Sequence, residues 1–160
     1  MANKDIEDCK ILYVCIAKGV RSLFALGFTE LLAGPSSRAK VFASGYEEGP
    51  LSERIKLLFE EAGLAVPTET PPTVFERKLN NEVFDYVVTL CKDGVHFHYP
   101  VFRNNVDIIY GEDAERGNLE ILDFRSIEAT GEEWMTAARA IRSSVIEQVG
   151  QFLRSLGIVG

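Results

Sequence analysis

The chain alternates between short apolar runs and longer amphipathic stretches, and the alternation predicts its elements. An apolar run over residues 11–14 ends on Cys15 and reads as a first strand. Residues 22–32 follow with Leu23, Phe24, Phe28, Leu31 and Leu32 at three- and four-residue spacings, which predicts a helix stopped by Gly34 and Pro35. A second strand is predicted over residues 39–44. Gly45, Gly49 and Pro50 then punctuate the chain before a helix carrying Leu51, Ile55, Leu58, Phe59 and Ala62 and ending at Gly63. Residues 67–72 hold paired prolines, Pro71 and Pro72, and read as a connection. Thr73 with Glu76 forms a capping-box pattern for a short helix over residues 74–79.

Residues 85–90 are apolar almost throughout and predict a central strand buried on both faces, with Cys91 at its carboxyl end. Residues 103–118 are polar and acidic and read as a solvated insertion flanked by two strand-like runs, 106–110 and 119–124. We take the second run as strand four because the last helix follows it directly. That helix repeats Trp134, Ala138, Ile141, Val145, Val149, Phe152 and Leu156 at fours and threes. Thr130 and Glu133 predict its capping box and Gly157 its stop. Strands alternating with helices predict parallel βαβ units.

With 160 residues and 46% hydrophobic content, the chain suits one domain, residues 1–160, with a core of its own. Neither a membrane span nor a signal-like apolar stretch is evident, so the expected location is cytoplasmic. Three cysteines in that setting point to thiol chemistry rather than a disulfide framework. A net charge of -7 argues against nucleic acid and acidic membranes as partners and requires any anion site to be local.

The chemistry concentrates in residues 10–22, where Cys15 and Arg21 stand in a Cys-x5-Arg-Ser spacing at a strand-to-helix turn. A turn of this kind can aim the N–H groups of Ile16, Ala17, Lys18, Gly19, Val20, Arg21 and Ser22 at one oxyanion. Arg21 supplies a planar fork for two oxygens, and the same donors favour the thiolate of Cys15. A structural alternative is a cysteine buried at the end of a core strand. Parallel sheets gather strand ends at one edge, so Cys15 and Cys91 are expected on the same edge. His96 and His98 alternate but lack a third ligand at suitable spacing, so we expect no metal and no cofactor.

The segment resembles the phosphate-binding loop of the low-molecular-weight protein tyrosine phosphatases and thioredoxin-coupled arsenate reductases, usually V-C-x-G-N-x-C-R-S. Further similarities are Ala43-Ser44-Gly45, the run from Phe84 to Cys91, Tyr99-Pro100-Val101-Phe102, and Ala129-Thr130-Gly131-Glu132-Glu133. The resemblance implies a three-layer α/β fold with a four-stranded parallel sheet in flavodoxin-like order 2-1-3-4 and helices on both faces. It implies a cysteine-dependent arsenate reductase or phosphatase acting on phosphate, arsenate or phosphotyrosine-type substrates. Cys15 is then the nucleophile, Arg21 and the loop amides bind the oxyanion, Ser22 orients the thiolate, and Cys91 is the candidate resolving thiol. A reductase would draw on thioredoxin or another thiol donor.

The departures are specific. Ala17-Lys18 replaces the Gly-Asn pair, and Val20 the cysteine before the arginine. The third relay cysteine is replaced by Tyr99. Cys9 cannot substitute for it, because six strand residues rise about 20 Å. The family's acid, an aspartate after strand four, aligns with Ser126 if residues 119–124 form that strand, and with Asp113 or Glu112 if residues 106–110 do. A degraded member that binds only an anion or a protein partner is the alternative function.

Overall fold

The computed structural model describes residues 9–34, 38–92 and 99–159. Four parallel strands, β1 (Cys9–Ala17), β2 (Ala39–Glu47), β3 (Tyr86–Leu90) and β4 (Glu115–Leu119), form one sheet in the order β2-β1-β3-β4. The helices are α1 (Val20–Ala33), α2 (Glu53–Glu61), α3 (Val74–Leu79), α4 (Tyr99–Tyr110) and α5 (Gly131–Ser155). Strands β1 and β3 pair from Ile11 with Tyr86 to Val14 with Thr89, so the two most apolar runs lie side by side at the centre.

Side-chain alternation along β1 divides the interior into two cores. Ile11, Tyr13 and Cys15 point toward α1, α2 and α5, meeting Phe24, Leu58, Phe59 and Val145. Leu12, Val14 and Ile16 point the other way, toward Val74 of α3 and Phe102, Val106 and Tyr110 of α4. The three-layer α/β architecture, with helices on both faces, is the expected one. In the larger core, Phe24 and Phe59 stack with ring centroids 3.8 Å apart, fixing α1 against α2.

Several boundaries differ from the pattern-based expectation. The run 106–110 lies inside α4, because Phe102, Val106 and Tyr110 repeat every four residues and bury one helical face. Strand four is Glu115–Leu119, a polar edge strand that hydrogen-bonds β3 on one side only and so carries no apolar signal, while the apolar run 119–124 lies beyond it except for Leu119. The residues read as an insertion are therefore helix and strand. The capping box of Thr73 and Glu76 forms in both directions, at 3.2 and 3.0 Å. The one expected at Thr130 does not, for its side chain makes no capping hydrogen bond.

Helix α3 is joined to the sheet edge that matters for function. Buried Arg77 donates Nε–H to Ser44 Oγ at 2.6 Å and Nη2–H to the Ala43 carbonyl at 2.8 Å, while Nη1 pairs with Glu82 at 2.8 Å. Arg77 thus ties α3 to β2 at the two residues just before Gly45. Among the described residues no helix is long and apolar enough to cross a membrane.

Candidate active site

Cys15 lies near the carboxyl end of β1, in register with Gly45 of β2, and its side chain is fully buried. Pairing with β2 continues through Ala17 opposite Glu47, so Ile16 and Ala17 belong to the sheet rather than to a bowl of loop amides. The turn itself is only Lys18 and Gly19. Both adopt left-handed backbone, with φ of 54° and 71°, and Lys18 carries the strain expected of a side chain there. Of the expected Gly-Asn geometry, the left-handed conformation is kept by Lys18 and Gly19, one position later than the replaced pair.

Two close approaches make this turn. A Cβ on Gly45 would sit 2.6 Å from the Gly19 nitrogen, so backbone meets backbone and a side chain at Gly45 has no room. A Cβ on Gly19 would lie 2.6 Å from Pro71 Cγ, which places the proline connection directly against the turn. Lys18 extends along the rim and donates Nζ–H to the Pro50 carbonyl at 2.9 Å.

Val20, Arg21 and Ser22 form the first turn of α1, whose N-cap, Gly19, supplies no side-chain hydrogen bond. The first turn holds no acidic residue, so the positive end of a 14-residue helix faces the cleft without a counter-charge of its own. Arg21 and Ser22 are both buried, and the Ser22 hydroxyl has no partner among the described residues. A buried hydroxyl without a partner costs stability, and an acceptor such as a thiolate or a bound oxyanion would satisfy it.

Arg21 reaches away from β1. It donates Nη1–H to the Ile121 carbonyl at 2.8 Å and pairs through Nη2 with Asp123 at 3.4 Å. Asp123 is buried, and the same carboxylate oxygen also accepts from Arg125, through Nε at 3.0 Å and Nη2 at 2.9 Å. Burial by itself would raise the Asp123 carboxyl, but Arg21 and Arg125 outweigh it and hold the group below the usual carboxylate range. Arg125 also reaches Glu47 at 3.2 Å, closing an ion-pair chain across the end of the sheet.

These groups open onto a cleft of about 400 Å³ lined by Ala17, Lys18, Val20, Arg21, Pro50, Leu51, Ser52, Arg54, Ile55, Asp123, Phe124, Arg125, Ile127, Ala129 and Trp134. Cys15 is not in the lining; it lies beneath the turn. Asp113 is elsewhere. It sits between α4 and β4, at the amino edge of the sheet, half-exposed and 3.9 Å from Lys78 Nζ. Ser126 donates to the Asp123 carbonyl at 2.6 Å and does not line this cleft.

Cys91 follows β3 at the same sheet edge as Cys15 but packs in the opposite core, with Val14, Ile16 and Phe102. Burial, reinforced by the neighbouring Cys15 and Asp123 and opposed by Arg21, pushes its thiol up to about 11. Cys9 starts β1 at the far edge, as the strand arithmetic requires. His96 and His98 lie outside the described residues, and no cluster that could hold a metal occurs among those described.

Asp123 is the functional candidate that pattern reading passed over. It lies within the run 119–124, where it looked like one polar residue in an apolar strand. A usable signal was Asp123 two residues before Arg125: the carboxylate accepts the Arg125 N–H at 2.9 Å and caps a 3-10 turn over Phe124–Ser126.

No protein-family model matches the sequence, and neither does any curated protein. Solved structures do match. An arsenate reductase in its phosphate-binding state superposes with a TM-score of 0.66 at 19% identity, covering 92% of this chain and 98% of that one. The chain shares its fold with arsenate reductases and low-molecular-weight tyrosine phosphatases. Within that group, an arsenate reductase from Archaeoglobus fulgidus gives 0.56 at 25% identity over 88% of this chain and 98% of its own. A protein tyrosine phosphatase gives 0.62 at 15% identity over 92% and 95%. At such identities the phosphatase and reductase fold is common to all three, and the chemistry has to be argued from this chain's own residues.

Proposed function

We propose that the chain is a cysteine-dependent enzyme of phosphate-like oxyanions that works as a phosphomonoesterase. The observation that carries this reading is the uncapped amino end of α1, with Arg21 and the unpartnered Ser22 hydroxyl buried in its first turn, following the strand that bears Cys15. A phosphoryl group there meets helix N–H groups and a guanidinium fork. Cys15, as the thiolate, attacks phosphorus. The P–O ester bond breaks, and the departing oxygen takes a proton from Asp123. Water then attacks the thiophosphate, giving its proton to Asp123 and releasing phosphate and the Cys15 thiolate.

Two changes bring the site from its present arrangement to that chemistry. Arg21 turns from Ile121 and Asp123 to the oxyanion. That removes one of the two cations beside Asp123 and lets its carboxyl rise toward the protonated form an acid requires. The turn at Lys18 and Gly19 also moves to uncover Cys15.

Hydrolysis is favoured over arsenate reduction because Cys91 is held as a neutral thiol in the other core and neither Tyr99 nor Cys9 completes a three-cysteine relay. The burial of Cys15 favours a second reading, an anion- or partner-binding chain without turnover. Two measurements separate them. Hydrolysis of p-nitrophenyl phosphate should be lost in Cys15→Ser, and phosphate, arsenate or sulfate should slow alkylation of Cys15 by iodoacetamide. Anion binding with no Cys15-dependent turnover supports the second reading. The cytoplasm, where thiols stay reduced, is the compartment this chemistry suits.

A further inference from the structure

The cleft holds four cationic side chains, Lys18, Arg21, Arg54 and Arg125, and one carboxylate, Asp123, in a chain whose net charge is -7. That local excess is more than one phosphoryl group needs, and the cations differ in how they are satisfied. Arg21 is engaged by Ile121 and Asp123, and Arg125 by Asp123 and Glu47. Arg54 is different. Among the described residues it has no carboxylate or carbonyl partner, and its guanidinium carbon lies over the Trp134 ring, 3.9 Å from the centroid.

Stacking uses the face of a guanidinium and leaves its in-plane N–H groups free. Trp134 is itself buried at the start of α5, so the ring is a fixed support. Arg54 is exposed, on the first turn of α2, and Lys18 is held near the same rim by Pro50. A preoriented, unpaired cation at the mouth of an anion cleft is a donor set for a second negative charge on whatever enters it.

We propose that Arg54, oriented by Trp134, is a specificity-determining residue that binds a second anionic group on the leaving side of the substrate. This rests on the phosphomonoesterase reading and narrows its substrate class to esters whose leaving group carries a carboxylate or another anion. The reacting phosphoryl group goes to α1 and Arg21; the distal charge goes to Arg54.

The test separates this inference from the reading beneath it by measuring binding without turnover. Benzylphosphonate and 3-carboxybenzylphosphonate are titrated calorimetrically into the parent, Arg54→Ala and Arg54→Lys. A charge-assisted contact predicts that the carboxylated ligand binds the parent about tenfold more tightly. The advantage should collapse toward one in Arg54→Ala and be partly kept in Arg54→Lys. Since Trp134 is the single tryptophan, the carboxylated ligand should also change its emission in the parent more than benzylphosphonate does. Benzylphosphonate binding with no carboxylate advantage, or an advantage that survives in Arg54→Ala, overturns the role of Arg54 and leaves the oxyanion site standing. Failure of both phosphonates to bind, with no Cys15-dependent hydrolysis, overturns the oxyanion site and this inference together.

Discussion

On the proposed mechanism Asp123 serves both a resting and a working state. Its position between Arg21 and Arg125 keeps it ionised, which suits a group that neutralises buried guanidinium charge and opposes one that must donate a proton. In the proposed mechanism an arriving oxyanion competes with Asp123 for Arg21, so that substrate binding and arming of the acid are one event. For Asp123→Asn, hydrolysis of p-nitrophenyl phosphate should change little, because nitrophenolate leaves unaided. Phosphotyrosine and alkyl phosphates should lose about 10²- to 10⁴-fold. Rates over a series of aryl phosphates check this through their dependence on leaving-group basicity. If that dependence is equally steep in parent and variant, Asp123 is not the acid.

Among the elements, α3 has a role out of proportion to its length. Six residues cannot stabilise a helix on their own, yet its capping box is complete, its Arg77 clamps β2, and Thr73 bridges to Gly45. Gly45 in turn is where the turn at Gly19 rests. Thr73→Ala should therefore cost about 1 kcal/mol of global stability through the lost cap, measured as a lower urea midpoint at unchanged slope. It should also weaken protection of Cys15 by phosphate, because the support under the turn loosens. Unaltered stability and protection would show that α3 is held by Arg77 and Val74 alone.

Across the whole molecule, the sheet separates the two cysteines that end its central strands. Cys15 and Cys91 share an edge but lie on opposite faces, so a disulfide between them requires one to cross into the other's core. The Cys91 thiol also makes folding pH-dependent. Its folded value of about 11 lies above that of an unfolded cysteine, about 8.5, so its buried neutral form contributes fully below the lower value. That contribution fades as pH rises toward the upper one. Urea unfolding at pH 7 and pH 10 should show the parent losing more stability over this interval than Cys91→Ala does. Equal losses would mean that Cys91 ionises freely in the folded chain.

The parallel order, the two central strands, α1, α3 and the periodic face of α5 were all legible, because apolar spacing follows directly from which side of an element is buried. The same reasoning located Cys15, Arg21 and Ser22 at a strand-to-helix turn. Misreadings arose where that link is broken. Strand β4 is an edge held mainly by backbone pairing with β3, so Glu115, Arg116 and Asn118 could occupy it without an apolar signature, and the apolar residues after it looked like the strand instead. Asp123 and Arg54 were invisible as site residues for a different reason. Asp123 is 102 positions from Arg21, and Arg54 is 80 from Trp134; the role proposed for each depends on the partner opposite it. Local sequence determined most of the strands and helices and put Cys15 toward the end of the first strand, ahead of α1. Only the tertiary structure decided which charges surround it, because ion pairing and stacking act through space between residues whose separation along the chain carries no information about their distance.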